Sequence, residues 1–305
     1  MVKLGGVWYR EALTETAFFS YKIKKLIYVG ETRYQKVEVV DTYDYGKCLI
    51  LDGKLQSSAK DEWVYHEALV HPLMVTHPNP RNILVIGGGE GAVLREVLKY
   101  DSVVSVVMVD LDREVIEISK KYLGEFCKNS FSNGKVKLVF SDGRKFLEKQ
   151  PKESFDGIIV DATDPLEGGP STLLYTKEFY SLVRSRLRKD GLMVTQATSI
   201  YHSPQCFSRI YKTVEAVFPV ARAFKADVPA YSSAWGFVLG SKKYDPLKLN
   251  PKDVDRMLKE RKIRNLKFYD GLTHQTMFIL PKNMRKMLQK EKEIVKDSKP
   301  VFMAS

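Results

Sequence analysis

The chain reads as an α/β fold: a mostly parallel, doubly wound sheet preceded by a small antiparallel β domain. Three observations predict it. Up to Ser58, short alternating β-rich runs are punctuated by Gly30, Gly46 and Gly53, the pattern of hairpins. After His77-Pro78-Asn79-Pro80, a rigid break, strand-like and helix-like runs alternate, which is the grammar of βαβ units. Finally, Gly157-Ile158-Ile159-Val160-Asp161-Ala162-Thr163-Asp164-Pro165 runs β-branched residues straight into a carboxylate, with a second acid three positions on. That is a buried parallel strand delivering two acids into the crevice where open α/β sheets bind ligands. Two carboxylates with no His or Cys beside them suit an amine better than a metal, so the crevice is expected to receive a cationic substrate.

In order, Tyr21–Val29, Lys36–Val40 and Cys48–Leu51 are the first strands, and Asp52-Gly53 is a tight-turn signal. Gln35 and Gln56 stand near strand ends and read, on the residues alone, as surface or turn positions. Asp61 to about Met74 is a helix with apolar Val64, Ala68, Leu69 and Leu73 at helical spacing. It carries Tyr65, His66, Glu67 and His71, but the two histidines lie five apart, not the four a zinc-binding pair on one helix face needs. His71, before Pro72, reads as structural. The break at His77 divides the chain into residues 1–77, the β-hairpin domain with its linking helix, and residues 78–305.

In the second part, Asn82–Ile86 is a buried strand, followed by Gly87-Gly88-Gly89-Glu90-Gly91-Ala92 and a helix from Val93 to Lys99. The glycines permit positive φ and close approach of a ligand to backbone. Val103–Val109 is the next strand, and Asp110 ends it 23 residues after Gly87. An acid there can accept both ribose hydroxyls of a nucleoside. No Lys-Ser or Lys-Thr follows the loop, which argues against a P-loop. Glu90 inside the loop would repel a pyrophosphate, so an adenosine-sulfonium ligand fits better than a dinucleotide. A helix over Ile116–Tyr122 and a strand over Val136–Phe140 lead to Ser141-Asp142-Gly143, placed to meet an adenine. Tyr175–Leu187 is a helix, Leu192–Gln196 a strand, Phe207–Phe218 a helix, and Pro229–Gly240 a loop entering a late strand. The Lys-rich stretch Lys282–Lys299 reads as a solvated helix and tail.

Bulk properties narrow the class. At 305 residues, 44% hydrophobic and 28% charged, the chain can bury a full core. No apolar run reaches the ~20 residues of a membrane span, and no signal-peptide layout opens the sequence. Three scattered cysteines, Cys48, Cys127 and Cys206, fit neither a disulfide framework nor a zinc site and suit a reducing cytoplasm. The net charge of +12 invites a nucleic-acid reading, but the 49 basic residues are mixed with 37 acids along the whole chain, the pattern of a solvated surface.

Taken together, Arg33-Tyr34-Gln35, Leu51-Asp52-Gly53, Asp61-Glu62-Trp63-Val64-Tyr65-His66-Glu67, Gly87-Gly88-Gly89-Glu90-Gly91, Leu94-Arg95-Glu96, Ser141-Asp142-Gly143 and Asp161-Ala162-Thr163-Asp164-Pro165 resemble the polyamine aminopropyltransferases, the family of spermidine and thermospermine synthases. The resemblance covers most of the chain. It implies a β domain followed by a methyltransferase-like Rossmann domain. It also implies transfer of an aminopropyl group from decarboxylated S-adenosylmethionine to a polyamine, releasing 5′-methylthioadenosine. The donor is then a co-substrate, with no other cofactor and no metal.

Position by position, the resemblance puts Gln35, Gly87, Asp110, Asp142, Gly143 and Pro170 on the nucleoside. His66, Glu90, Asp161, Asp164, Tyr65, Tyr231 and Gln196 fall on the amine channel, with Asp161 on the family's proton acceptor. An ordinary aspartate is a poor base for an amine, so Asp161 is expected to act mainly by positioning the amine and relaying its proton through water or Tyr65. Glu90 is expected to bind the donor's ammonium and repel the carboxylate of ordinary S-adenosylmethionine. Glu90 stands where spermidine synthases usually have Asp, Asp110 where they have Glu, and Thr198 follows Gln196 and Ala197 where an acid is common. The run Asp164–Pro170 resembles thermospermine synthases, and a roomier channel is expected. The acceptor is left open between spermidine and a putrescine-like amine. A homodimer or homotetramer is expected, with no nucleic-acid or membrane partner. The alternative is a methyltransferase of the same architecture acting on RNA; two acids at Asp161 and Asp164 oppose nucleic acid there.

Overall fold

The alternating N-terminal runs fold into a five-stranded antiparallel sheet, β1 (Trp8–Thr14), β2 (Ala17–Glu31), β3 (Lys36–Thr42), β4 (Gly46–Leu51) and β5 (Lys54–Ser58), each strand paired with the next. The computed structural model describes residues 5–303. Next come α1 (Glu62–Thr76), β6 (Asn82–Gly87), α2 (Ala92–Val97), β7 (Ser105–Asp110), α3 (Arg113–Tyr122), α4 (Gly124–Cys127), β8 (Val136–Phe140), α5 (Gly143–Glu148) and β9 (Phe155–Asp161). The chain ends with α6 (Lys177–Arg186), β10 (Leu187–Ser199), α7 (Pro204–Glu215), β11 (Val220–Val228), β12 (Ser233–Ser241), α8 (Pro251–Glu260), α9 (Gly271–Met277) and α10 (Lys282–Lys290). Among the described residues no helix is long and apolar enough to cross a membrane.

The second sheet has seven strands in the order β11-β12-β10-β9-β6-β7-β8. The five from β10 to β8 are parallel, and β12 and β11 add an antiparallel edge. From β6 the chain winds outward through β7 and β8, then returns to lay β9 on the other side of β6. The topological switch point therefore lies between β6 and β9, and a crevice opens beyond their C-terminal ends. Both strands are apolar runs, as burial on two faces requires: Ile83, Leu84, Val85, Ile158, Ile159 and Val160 are fully buried.

The structure corrects the sequence reading in four places. The helix after the small sheet was expected to show one apolar stripe, yet every residue of α1 but Trp63 is buried. It packs against α2, β9, β10 and β11, so it belongs by packing to the larger sheet rather than to the small one. The carbonyls of its last turn and exit, Met74, His77 and Pro78, are collected by the Arg261 guanidinium at 2.5, 3.0 and 2.9 Å. β11, whose sequence carries no strong strand period, pairs along its whole length with β12. The amphipathic α8, started by Asn250 and Pro251, and α9, capped by Asp270, are two further elements beyond those expected. Finally, the Lys-rich end is fastened down: Met284, Leu288 and Val295 are buried, and Arg144 grips Asp297 with two bonds of 2.9 and 2.7 Å. His71 is structural as expected, fully buried between Tyr100 and Glu96.

Candidate active site

The crevice is built first from backbone. Gly87 faces Asp161 in register, and the Gly88 N–H donates to the Asp161 carbonyl at 2.9 Å. A side chain at Gly87 would place its Cβ 2.2 Å from that carbonyl oxygen, at φ +83°, so only glycine allows the loop to lie against the acidic strand end. At Gly143 a Cβ would sit 2.4 Å from Ile86 Cγ2, which explains the glycine that opens α5. Asp142 caps α5 through the Lys145 N–H at 2.9 Å.

At one end of the cleft, Asp110 accepts the Asp112 N–H at 2.8 Å. Asp112 itself caps α3 and takes the Thr32 hydroxyl at 2.6 Å and the Gln35 amide at 3.0 Å. One buried carboxylate thus ties a turn of the small sheet to the large one and orients Gln35. At the other end, the Tyr65 hydroxyl donates to Asp161 Oδ1 at 2.7 Å. The loop bearing Tyr231 is pinned by the small sheet and its exit: Asp61 takes the Ala230 N–H at 2.7 Å, and Tyr21 donates to the Ala230 carbonyl at 2.8 Å. The Tyr231 hydroxyl donates to the Gln56 carbonyl.

An open cleft of about 1170 Å³ joins these parts, and Tyr65, Gln35, Gly87, Glu90, Asp110, Asp142, Gly143, Asp161, Asp164, Pro170, Gln196 and Tyr231 all line it. Two expected residues sit differently. His66 is only 1% exposed and lies behind Glu90, because both its ring nitrogens are taken: Nε2 by Glu90 and Nδ1 by Glu62, each at 2.9 Å. The Gln196 side chain is spent on protein. Its Nε2 meets Asp164 Oδ1 at 3.2 Å and the Ala162 carbonyl at 3.0 Å, while Oε1 takes Thr198 N–H and Trp235 Nε1 at 2.8 and 3.1 Å. It orients Asp164 and leaves a ligand little to bind.

Sequence reasoning missed what stands behind His66. Arg95 holds Glu62 with two bonds of 2.9 and 2.8 Å and reaches Glu96 at 2.8 Å. The i, i+4 spacing of Glu62 and His66 was the available signal. Burial alone would depress His66, but its hydrogen bonds to Glu62 and Glu90 raise it to about 10, so it stays an imidazolium. Burial works against Glu62 too, yet His66 and Arg95 hold it down near 2.

The cleft acids shift the other way. Burial, then the charge of Glu90, push Asp161 up to about 7. Burial pushes Asp164 up to about 7 and Asp110 to about 6. Each still has an edge open to the cleft. Carboxylates raised in this manner are poised to ionise when a cation arrives.

A glycine-lined switch point, a strand-end acid at one end and three carboxylates toward the other define a class: nucleoside-dependent group transfer to a cationic acceptor. Comparison with known proteins narrows it. Residues 62–250 match the spermine/spermidine synthase domain, and residues 7–58 the spermidine synthase tetramerisation domain. The polyamine aminopropyltransferase of Sulfurisphaera tokodaii is 47% identical over 96% of this chain and 97% of its own length. Polyamine aminopropyltransferase 2 of Hyperthermus butylicus is 45% identical over 92% of each chain. Among solved structures, a spermidine synthase in complex with the transition-state analogue AdoDATO superposes with a TM-score of 0.88 at 33% identity, covering 93% of this chain and 96% of that one. The spermidine synthase of Thermotoga maritima gives a TM-score of 0.86 at 33% identity, covering 93% and 95%. The chain belongs to the spermine/spermidine synthase family, and the methyltransferase alternative is not favoured.

Proposed function

We propose that the protein transfers an aminopropyl group from decarboxylated S-adenosylmethionine to a polyamine, of the spermidine or putrescine type, and releases 5′-methylthioadenosine. The observation that carries this is the Asp161 carboxylate, held by Tyr65 at 2.7 Å in the same cleft as Glu90 and Asp164 and hydrogen-bonded through its own backbone to the nucleoside loop. The nucleoside lies toward Gln35, Asp110, Asp142, Gly143 and Pro170, and the amine toward Asp161, Asp164 and Tyr231.

The reaction is a displacement at the methylene beside the sulfonium. The amine lone pair forms the new C–N bond, the C–S bond breaks, and its electron pair returns to sulfur as a neutral thioether. The sulfonium is its own leaving group, so the donor is a co-substrate and no resident cofactor or metal is required. The acceptor arrives protonated, with a pKa near ~10.4, and must lose a proton. Asp161, raised to about 7, is a far better base than an ordinary aspartate at ~3.9, and Tyr65 supports its carboxylate and relays the proton onward. Holding both reactants in line supplies the rest of the rate.

Glu90 discriminates between donors in this scheme, but its partnership with His66 tempers its repulsion of a donor carboxylate. The small sheet leaves Phe18, Leu26, Val29 and Tyr43 exposed, a surface suited to a homodimer or homotetramer built through β1–β5. The three buried free cysteines suit a cytoplasmic enzyme. The test is incubation of the protein with either adenosyl donor and a panel of amines. Methylthioadenosine release that requires the decarboxylated donor and an amine is expected. Methylated product from S-adenosylmethionine, or no methylthioadenosine with any amine, overturns the assignment.

A further inference from the structure

At the nucleoside end of the cleft, the carboxylate of Asp112 is fully occupied by the protein. Oδ1 takes the Glu114 and Val115 N–H groups at 3.0 and 3.4 Å, the cap of α3. Oδ2 takes the Thr32 hydroxyl at 2.6 Å and the Gln35 amide at 3.0 Å. These four donors fill the lone pairs of a carboxylate. Only 3% of the residue is exposed, so Asp112 has nothing left to offer a ligand.

What it does instead is set the polarity of its neighbours. A carboxylate can only accept, so the atom that Gln35 turns toward it is the amide nitrogen. That bond is the one side-chain hydrogen bond Gln35 makes among the described residues, which leaves Oε1 to the cleft that Gln35 lines. The main chain of Asp112 does the same for Asp110. Its N–H holds Asp110 Oδ1 at 2.8 Å, and among the described residues no hydrogen bond falls on Oδ2. Gly89 keeps that second oxygen accessible, because a Cβ there would stand 3.3 Å from it. One residue thus aims two acceptors at the place where the proposed function puts the nucleoside.

We propose that Asp112 is the positioning residue that makes this end of the cleft acceptor-only, so that it takes a proton from each of two adjacent ribose hydroxyls. This rests on the nucleoside reading of the site and extends it to a residue that acts only through Asp110 and Gln35.

Asp112→Asn isolates the effect on Gln35. Asn caps a helix as well as Asp does, and its single oxygen is claimed by the two N–H groups of α3, so its NH2 faces Gln35. The Gln35 amide must then turn round, carbonyl toward the new amide and NH2 toward the cleft, and a ribose hydroxyl there loses the acceptor for its proton. Gln35→Glu fails differently, by setting a carboxylate against the Asp112 carboxylate across the 3.0 Å of the present bond. Together the two substitutions exchange amide and carboxylate. The new amide donates to the new carboxylate, whose second oxygen again faces the cleft, and the net charge is that of the wild type.

The experiment is isothermal titration of wild type, both single variants and the double variant with 5′-methylthioadenosine, alongside their melting temperatures. Each single substitution should raise Kd at least about tenfold, the size of one hydrogen bond. The double variant should bind more tightly than either, within about threefold of wild type. Losses that serve only the fold would add, so a double variant that binds no better than the better single variant overturns the proposal. Asp112→Asn binding within about twofold of wild type overturns it too. Where Asp112→Asn does not fold, Gln35→Glu against the double variant decides alone: recovery supports the exchange, and its absence sinks it. A wild type that does not bind methylthioadenosine instead condemns the nucleoside reading itself.

Discussion

Replacing Asp161 by Asn tests the chemistry most directly. The substitution preserves volume, and its Oδ1 can still accept from Tyr65, which lies 2.7 Å away in the wild type, so the pocket keeps its shape. What disappears is the ability to take a proton. Positioned general bases contribute roughly 10²–10⁴-fold, and a base raised to about 7 is close to the working pH, where that contribution is largest. We expect kcat to fall about 10²–10³-fold at pH 7.5, with the KM of the adenosyl donor changed by less than about threefold. The wild-type profile carries a second signature. Asp161 must be ionised to act, so kcat/KM should decline as pH drops through about 7. A bound polycation favours the ionised form, so the acid limb of kcat should lie at lower pH than that of kcat/KM. Methylthioadenosine release at saturating amine, followed from pH 5 to 9, reads both. Turnover in Asp161→Asn above a third of wild type, or an unchanged acid limb in that variant, refutes the base assignment.

Four other outcomes follow from the same geometry. Asp164→Asn should stabilise the unliganded protein at pH 8. The folded-state carboxyl is raised from 3.8 to about 7, so the stability it contributes is present below its unfolded value and lost as pH rises through 7. The gain, on the order of 1–3 kcal/mol after allowing for the edge open to the cleft, should shrink toward zero as pH falls to 4 in denaturant titrations. Glu62→Gln removes one partner from both His66 and Arg95; breaking a buried ion pair costs about 3–5 kcal/mol, and NMR titration should find the His66 imidazole pKa lowered. An unmoved His66 would show that Glu90 alone sets its charge. Glu90→Gln should reduce the preference for the decarboxylated donor by no more than about tenfold, because His66 already offsets part of its charge; isothermal titration with both donors decides this. Gly87→Ala should cost about 3 kcal/mol or more, since its Cβ meets the Asp161 carbonyl at 2.2 Å with φ at +83°; a melting temperature within a few degrees of wild type would contradict that packing.

The parallel strands of the core were legible because burial on both faces leaves an apolar run that ends abruptly: Ile83–Ile86 before glycines, Ile158–Val160 before Asp161. β11 was harder to see. Its alternation, Val220-Ala221-Arg222-Ala223-Phe224-Lys225, is weak in Ala, and its strand character comes from pairing with β12, a partner that lies later in the chain. The cleft residues were found because family motifs coincide with strand ends. His66 was misplaced for a reason no motif carries: which face of a wholly buried helix points to a cavity is decided by its neighbours, here Glu62 and Glu90. Asp112 escaped notice because an acid just after a strand-end acid looks like an ordinary helix cap until the turn between β2 and β3 is brought against it.

The seam between Gly87 and Asp161 also bears on how such an enzyme changes. The glycine loop and Asp161 share one stretch of hydrogen-bonded main chain, so under the proposed reaction the spacing between sulfur and nitrogen is inherited with the sheet itself. The far wall is drawn from separate pieces, the hairpins of β1 and β5 and the turn bearing Tyr231. Descendants can therefore lengthen or shorten the molecule they extend by altering those pieces, while the spacing that makes the bond is carried forward untouched.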